Sequence, residues 1–315
     1  NVTWLGYSAS MRSTPTRPLG PQSLSPRVMA ALAACYLVWG STYLAIKWAL
    51  SVFPPFFQMG TRFLTAGVLL MAFMLGRGAA LPNPLQWRNA LVVGALMLGG
   101  GMGLTAVSEQ TIGSGLIAAF IAVVPMMVSG WGLLMGQRPT RLELAGMLVG
   151  LGGIVLLVQG ASFSASVAGL AAISSATLMW SLGSVLQTTR LPLAPGPVGF
   201  ASEMLCGGGV LLLISAIVGE EFVWPAQYSP EVLRALAAWV YLVVAGSLVA
   251  FSAYLYLLTN TRPAVATSYA FVNPVIALSL GVSLAGERVN AHEWLACGVI
   301  LLGVVLILRG KSINH

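Results

Sequence analysis

Arg62 and Glu203 are the residues best suited to chemistry in this sequence, because each is an ionisable side chain set inside a long apolar run. At membrane depth such a group costs about 2.5–3.5 kcal/mol on insertion scales, which makes it a functional candidate by default. Together they could form a charge pair or a pair of charged gates, with Glu203 as the titratable member of a proton-coupled cycle. Set against this, each could snorkel or pair for structure alone. Trp39 and Trp180 also lie well inside apolar runs and offer π surface to an apolar or cationic solute, or simply fill a helix junction. Tyr43, Tyr254 and Tyr256 are weaker candidates of the same kind. Pro125 and Pro274 interrupt the backbone ladder, and lipid cannot satisfy the groups they free, so those groups must face protein or a wet cavity. Beside Pro274 stand Thr267, Ser268, Tyr269 and Asn273, whereas Ala118, Ala119, Phe120 and Val124 precede Pro125. The expected site is therefore asymmetric, polar on one side and apolar on the other.

Other chemistries lack their parts. All 8 acidic residues are glutamates, and neither a phosphate-binding GxxxxGK[ST] loop nor an HExxH zinc motif occurs. Cys35, Cys206 and Cys297 are isolated in apolar runs and His292 and His315 stand apart, so no disulfide framework, metal site or cofactor is expected. A membrane-embedded enzyme would need a convergent nucleophile and base, and only Glu203 is a clear base. Lys47 and Glu109 fall at span ends, where snorkelling and an exposed loop carboxylate are the expected readings; turned inward, Glu109 could recognise an amine.

These residues must be positioned by membrane helices. The chain has 315 residues, 57% hydrophobic and 7% charged, against roughly a quarter charged in soluble domains. Runs long enough to cross a bilayer occupy Val28–Leu50, Phe56–Leu75, Asn89–Val107, Leu116–Met135, Leu142–Val158, Val167–Leu186, Gly196–Val218, Leu236–Leu258, Ala264–Ala285 and Ala291–Leu308. The fold class expected is an all-α membrane protein with ten transmembrane helices. Their continuously apolar character excludes a β-barrel. Residues 1–26, with Pro15, Pro18, Pro21 and Pro26 among Ser, Thr and Arg, read as a disordered extension and not as a cleaved signal peptide. A start at Met11 would lose nothing structural. Residues 311–315 form a short tail.

Positive charge fixes the orientation. With the N-terminus in the cytoplasm, Arg12, Arg17, Arg27, Arg77, Arg88, Arg138, Arg141, Arg190, Arg262, Arg309 and Lys311 fall inside, and only Arg234 and Arg288 fall in outer loops. Both termini are then cytoplasmic. The net charge of +7 reports this orientation, and no nucleic-acid partner is expected.

The chain also repeats itself. Leu37-Val38-Trp39 and Gly67 match Leu178-Met179-Trp180 and Gly208 at an offset of 141, which also relates Arg62 to Glu203. Arg138, Glu143, Gly153 and Gly160 match Arg288, Glu293, Gly303 and Gly310 at 150, and Pro125 matches Pro274 at 149. The halves are residues 27–160 and 161–310, five helices each. An odd number of helices inverts the second half relative to the first, an architecture of secondary transporters with the site between the halves. Gly146-xxx-Gly150 suits helix packing and a homodimer contact alike.

The run Leu37-Val38-Trp39-Gly40-Ser41-Thr42-Tyr43, Arg62-Phe63-Leu64, the two proline helices and Gly286-Glu287-Arg288 resemble the drug/metabolite transporter superfamily, specifically its EamA family. The stretch Ala266–Val275 is similar to that of bacterial inner-membrane members. Gln137 departs from the pattern, standing where the first-repeat counterpart of Glu287 would be. The resemblance covers residues 28–310 and implies inverted five-helix repeats. It also implies export of small metabolites or amino acids, usually driven by a cation or exchange gradient, through a cavity lined by spans 1, 3, 4, 6, 8 and 9. The expected mechanism is alternating access in the cytoplasmic membrane. Trp39, Tyr43, Trp180, Tyr269 and Asn273 would contact substrate, Arg62 and Glu203 would supply charge, and a proton is the candidate coupling ion. A passive facilitator or channel is the competing reading.

Overall fold

The computed structural model describes residues 25–113, 117, 120–134, 141–160, 166–260, 269–285 and 290–310. Among them every regular element is a helix. In order they are α1 (Pro26–Ala49), α2 (Pro55–Gly76), α3 (Pro84–Ser108), α4 (Val124–Leu134), α5 (Arg141–Gly160), α6 (Val167–Thr189), α7 (Pro197–Val218), α8 (Pro230–Tyr254, continued by Ala250–Asn260), α9 (Tyr269–Ala285) and α10 (Ala291–Gly310). Six of these, α1, α2, α3, α6, α7 and α8, are long and apolar enough to cross a membrane.

The helix starts are built from sequence. Ser25, Asn83, Ser166 and Ser229 each accept a backbone N–H of the first turn, and Pro26, Pro84 and Pro230 follow three of them, where a missing N–H costs nothing. Asn83 with Gln86 and Asn290 with Glu293 form reciprocal capping boxes. α2 has no cap of its own. Instead both oxygens of Glu220, in the loop after α7, accept from Phe56 N and Phe57 N at 3.0 and 2.8 Å. Phe222 stacks on Phe57 and Phe53 beside it. Thr111 and Ser166 likewise join two loops, after α3 and before α6, through their hydroxyls at 3.0 Å. Asn89 ties α3 to the carbonyl of Pro192 in the loop before α7.

Three helices contain π-helical stretches, Cys35–Trp39 in α1, Ala95–Met102 in α3 and Leu242–Val249 in α8. Those in α3 and α8 are the same length and begin 147 residues apart, at Ala95 and Leu242. The fourth apolar run is not one continuous helix: Ala122 and Val123 form a turn before α4, so Pro125 is the second residue of a new helix. Pro274 instead falls within the helical run of α9.

The principal packing pairs are α2 with α7, α5 with α10, α1 with α8, α3 with α6, α1 with α9, α4 with α6, α2 with α8, and α3 with α7. Glycines set the closest approaches. A Cβ on Gly67 would meet Leu205 N and the Ala201 carbonyl at 3.0 and 3.2 Å, and one on Gly208 would meet Leu64 N and the Gly60 carbonyl at 2.8 and 3.1 Å. At the other crossing, a Cβ on Gly153 would meet Ile300 N at 2.8 Å and one on Gly303 would meet the Gly146 carbonyl at 2.7 Å. The Gly146-xxx-Gly150 face is therefore covered by α10 of the same chain, which removes it as a dimer contact.

These distances make a test. Gly208→Ala forces α2 and α7 apart and lowers the melting temperature, by the equivalent of about 1–3 kcal/mol for overpacking. Gly209→Ala, which meets open space, leaves it unchanged or slightly raised, since alanine favours helix over glycine.

Candidate functional site

α1, α8 and α9 converge on an aromatic box. Trp39 of α1 stands edge-on to Tyr269 of α9 at 4.6 Å between ring centroids and to Phe251 of α8 at 5.2 Å, and tilts against Tyr254 of α8 at 5.4 Å. Tyr254 and Tyr269 close it at 5.6 Å, again edge-on. Such edge-to-face arrangements set the positive edge of one ring on the negative face of another and hold the cluster in a fixed geometry. The indole is oriented by a hydrogen bond from Trp39 Nε1 to the Gly246 carbonyl, 3.1 Å, within the π-helical stretch of α8. A π-helical turn carries an extra residue in the ladder and recurs at functional sites; here its carbonyl receives a side-chain donor. Thr42 Oγ1 donates back to the Trp39 carbonyl at 2.7 Å, and Ser41 shares a 2.7 Å bond with the Tyr241 hydroxyl.

Arg62 lies directly behind this box and is 2% exposed. Its Nε donates to Ser247 Oγ at 3.1 Å, Nη1 lies 3.7 Å from Met59 Sδ, and Cζ sits 4.7 Å from the Phe63 ring centroid. Ser247 in turn donates to the Leu242 carbonyl. A Cβ on Gly246 would stand 3.1 Å from both Arg62 Nη2 and Thr42 Cγ2, so the absence of a side chain lets the guanidinium lie against α8.

Glu203 is also buried, 4% exposed, and its Oε2 has no hydrogen-bond partner. It sits where α7 crosses α3, with its carbonyl 2.8 Å from a Cβ position at Gly94. Arg62 and Glu203 are not brought together; Arg62 spends its bonds on Ser247 and Met59. Trp180 rests on the π-helical stretch of α3, its Cε3 3.0 Å from a Cβ position at Gly101, with aliphatic and aromatic core neighbours but no box around it. Tyr43 is buried against Ile112, Ile117 and Phe120, and Asn273 is buried with its Oδ1 unpartnered. Thr267 and Ser268 lie outside the described residues, as does Gln137.

One expectation changes. Glu109 is 3% exposed, so the end of α3 turns it into the protein instead of presenting a loop carboxylate. Trp239 Nε1 donates to Thr61 Oγ1 at 3.1 Å and ties α8 to α2. Among the described residues the ring contacts gather at Trp39. Phe251, Gly246, Ser247 and Gln58 were not singled out from sequence; the mid-span Gly-Ser pair at 246–247, a common site of helix distortion, was the available signal.

Comparison with known proteins fits this architecture. The EamA-like transporter family matches residues 27–159 and 167–309. The chain is 41% identical over 285 residues to the uncharacterized inner membrane transporter YedA of Escherichia coli strain K12, covering 90% of this chain and 91% of that protein. It is 26% identical to an uncharacterized transporter of Synechocystis, with 90% of each covered, and 27% identical to protein PecM of Dickeya dadantii, with 88% of each covered. A protein of known crystal structure shares the fold with a TM-score of 0.62 at 20% identity, over 91% of this chain and 99% of that one. The chain belongs to the EamA-like transporter family. It is a membrane protein that moves a small molecule, and not an enzyme.

The indole bond gives a direct check on the box. Trp39→Phe keeps an aromatic ring but removes the donor to Gly246, and is expected to destabilise the protein by about 1 kcal/mol. Thermal unfolding in detergent reads this as a small fall in melting temperature, with Trp39→Ala falling further.

Proposed function

We propose that the chain is a secondary transporter of the inner, cytoplasmic membrane that exports small metabolites, amino acids or related organic solutes, by alternating access. In this reading ten helices form two inverted repeats, residues 27–160 and 161–310, with both termini cytoplasmic. The observation that carries it is the aromatic box of Trp39, Tyr254 and Tyr269, made where α1 of the first half meets α8 and α9 of the second. A site between two halves is exposed to either side when one half rocks against the other.

Support for the repeats comes from packing. Replacing each helix by the one five places along turns the principal helix pairs into one another: α1 with α8 becomes α6 with α3, and α1 with α9 becomes α6 with α4. The pairs α2 with α7 and α5 with α10 map onto themselves. At the first crossing the contacts of Gly67 with Leu205 and of Gly208 with Leu64 exchange under the offset of 141 read from sequence. The family match in two segments of similar length agrees with this.

Substrate contacts fall to Trp39, Tyr43, Trp180, Tyr269 and Asn273, with Arg62 supplying charge. Pro125 and Pro274 mark where backbone groups face the pathway. Glu203, a buried carboxylate with an unpartnered oxygen, is the proton-coupling candidate, since a carboxyl that alternates between protonated and ionised forms links charge to conformation.

Solute uptake by proteoliposomes tests the proposal, using an amino-acid, nucleoside and cationic-drug panel with and without an imposed proton gradient. Gradient-driven accumulation that Glu203→Gln reduces to simple equilibration is the expected result. Flux that only equilibrates in the unaltered protein, insensitive to the gradient and to the substitution, identifies a facilitator and removes Glu203 from the mechanism.

A further inference from the structure

Arg62 brings a positive charge into the protein interior, yet its contacts are all neutral: the Ser247 hydroxyl, the Met59 thioether and the face of Phe63. Among the described residues no carboxylate pairs with it. A guanidinium has five N–H donors in a planar fork, and buried charges in proteins are ordinarily paired. One turn earlier on α2, at the i, i+4 spacing that puts two side chains on the same face, Gln58 is 0% exposed and neither its Oε1 nor its Nε2 has a hydrogen-bond partner. An orphaned buried amide is unusual, because the desolvation cost goes uncompensated. Two such groups as neighbours, one cationic and one a neutral donor, describe a receptor for an anion with two oxygens.

The location narrows the anion further. Gly246 touches both the guanidinium and the aromatic box: its α-carbon faces Arg62 Nη2 while its carbonyl holds the indole of Trp39. A ligand held by Arg62 would thus place its next few atoms among Trp39, Tyr254 and Tyr269. Inorganic anions would leave those rings unused, and a dianion would meet one cation only.

We propose that Arg62 and Gln58 form a carboxylate-binding subsite of the transport site, so that the substrates are small organic carboxylates whose apolar or aromatic body rests on Trp39, Tyr254 and Tyr269. This rests on the transporter reading above. The guanidinium takes the two carboxylate oxygens through paired N–H donors, the geometry that distinguishes arginine from lysine, and the Gln58 Nε2 donates to one of them. Ser247 keeps Arg62 Nε aligned. Simple organic acids and amino acids share this carboxylate, and the test separates them.

Binding is measured by calorimetry on the full chain in lipid nanodiscs, with acetate, 3-phenylpropanoate, phenylalanine, phenethylamine and sodium chloride as probes, and flux is measured separately in proteoliposomes. The expected result is that 3-phenylpropanoate binds more tightly than acetate or chloride and that phenethylamine does not compete. Phenylalanine binding more tightly than 3-phenylpropanoate supports the proposal with amino acids as the substrates; weaker binding supports it with simple acids. Arg62→Lys weakens carboxylate binding about tenfold or more, the loss expected for one charge-assisted hydrogen bond. Gln58→Leu also weakens it while leaving the melting temperature of the ligand-free protein unchanged or raised, because an orphan amide has been removed; a structural role would lower it. Phenethylamine binding as tightly as 3-phenylpropanoate, carboxylate binding no tighter than chloride, or carboxylate binding indifferent to both substitutions overturns the subsite. Carboxylate binding without flux of any solute overturns the transport reading and leaves the subsite standing.

Discussion

The crossing of α2 and α7 at glycine is the constraint on which the rest of the structure depends. Within lipid there is no hydrophobic drive to bring helices together, so close van der Waals packing has to do it, and small residues permit it. At Gly67 and Gly208 the two backbones approach so nearly that an added methyl would strike main-chain atoms of the partner. Arg62 and Glu203, each five residues before one of these glycines, are carried by that contact into positions related by its local two-fold. From there their surroundings diverge. Arg62 lies against the π-helical stretch of α8, whereas Glu203 lies at the crossing of α7 with α3.

The aromatic box follows from the same divergence. Its walls come from Phe251, Tyr254 and Tyr269, and their counterparts in the first half, taken at offsets of 147 and 149, are Leu104, Val107 and Phe120. The two rings of α8 have aliphatic counterparts, and Tyr269 has an aromatic one that lacks its hydroxyl. In the inverted-repeat reading the two halves thus line the site unequally, which suits recognition of a solute that has no symmetry of its own. Glu220 adds a second asymmetry by capping α2 from the loop after α7. The equivalent loop in the first half, residues 77–83, contains no acid that could do the same for α7.

Much of this was legible in the sequence because the bilayer leaves few choices. Apolar runs of the right length must be helices, and the offset of 141 that aligned Gly67 with Gly208 in the sequence is the offset that exchanges the contact of Gly67 with Leu205 for that of Gly208 with Leu64. What could not be read was distortion within helices. The π-helical stretches have no signature in hydrophobic periodicity, so the carbonyl of Gly246 and the hydroxyl of Ser247 emerged as site components only from coordinates. Glu109 was assigned to a loop by its position at a span end, but its environment is decided by what packs over that end. The rings around Trp39 come from helices distant in sequence, which pairing it with Trp180 by position does not reveal.

The inverted arrangement of the halves is the central claim, and sidedness tests it most directly. Leu81 and Val223 are 61% and 79% exposed, in loops that are equivalent under the repeat. Single cysteines placed at these positions, with Cys35, Cys206 and Cys297 replaced, are labelled in intact cells by a membrane-impermeant thiol reagent. The account predicts that Val223→Cys is labelled from outside and Leu81→Cys only after the membrane is opened. Labelling of both from the same side would contradict it.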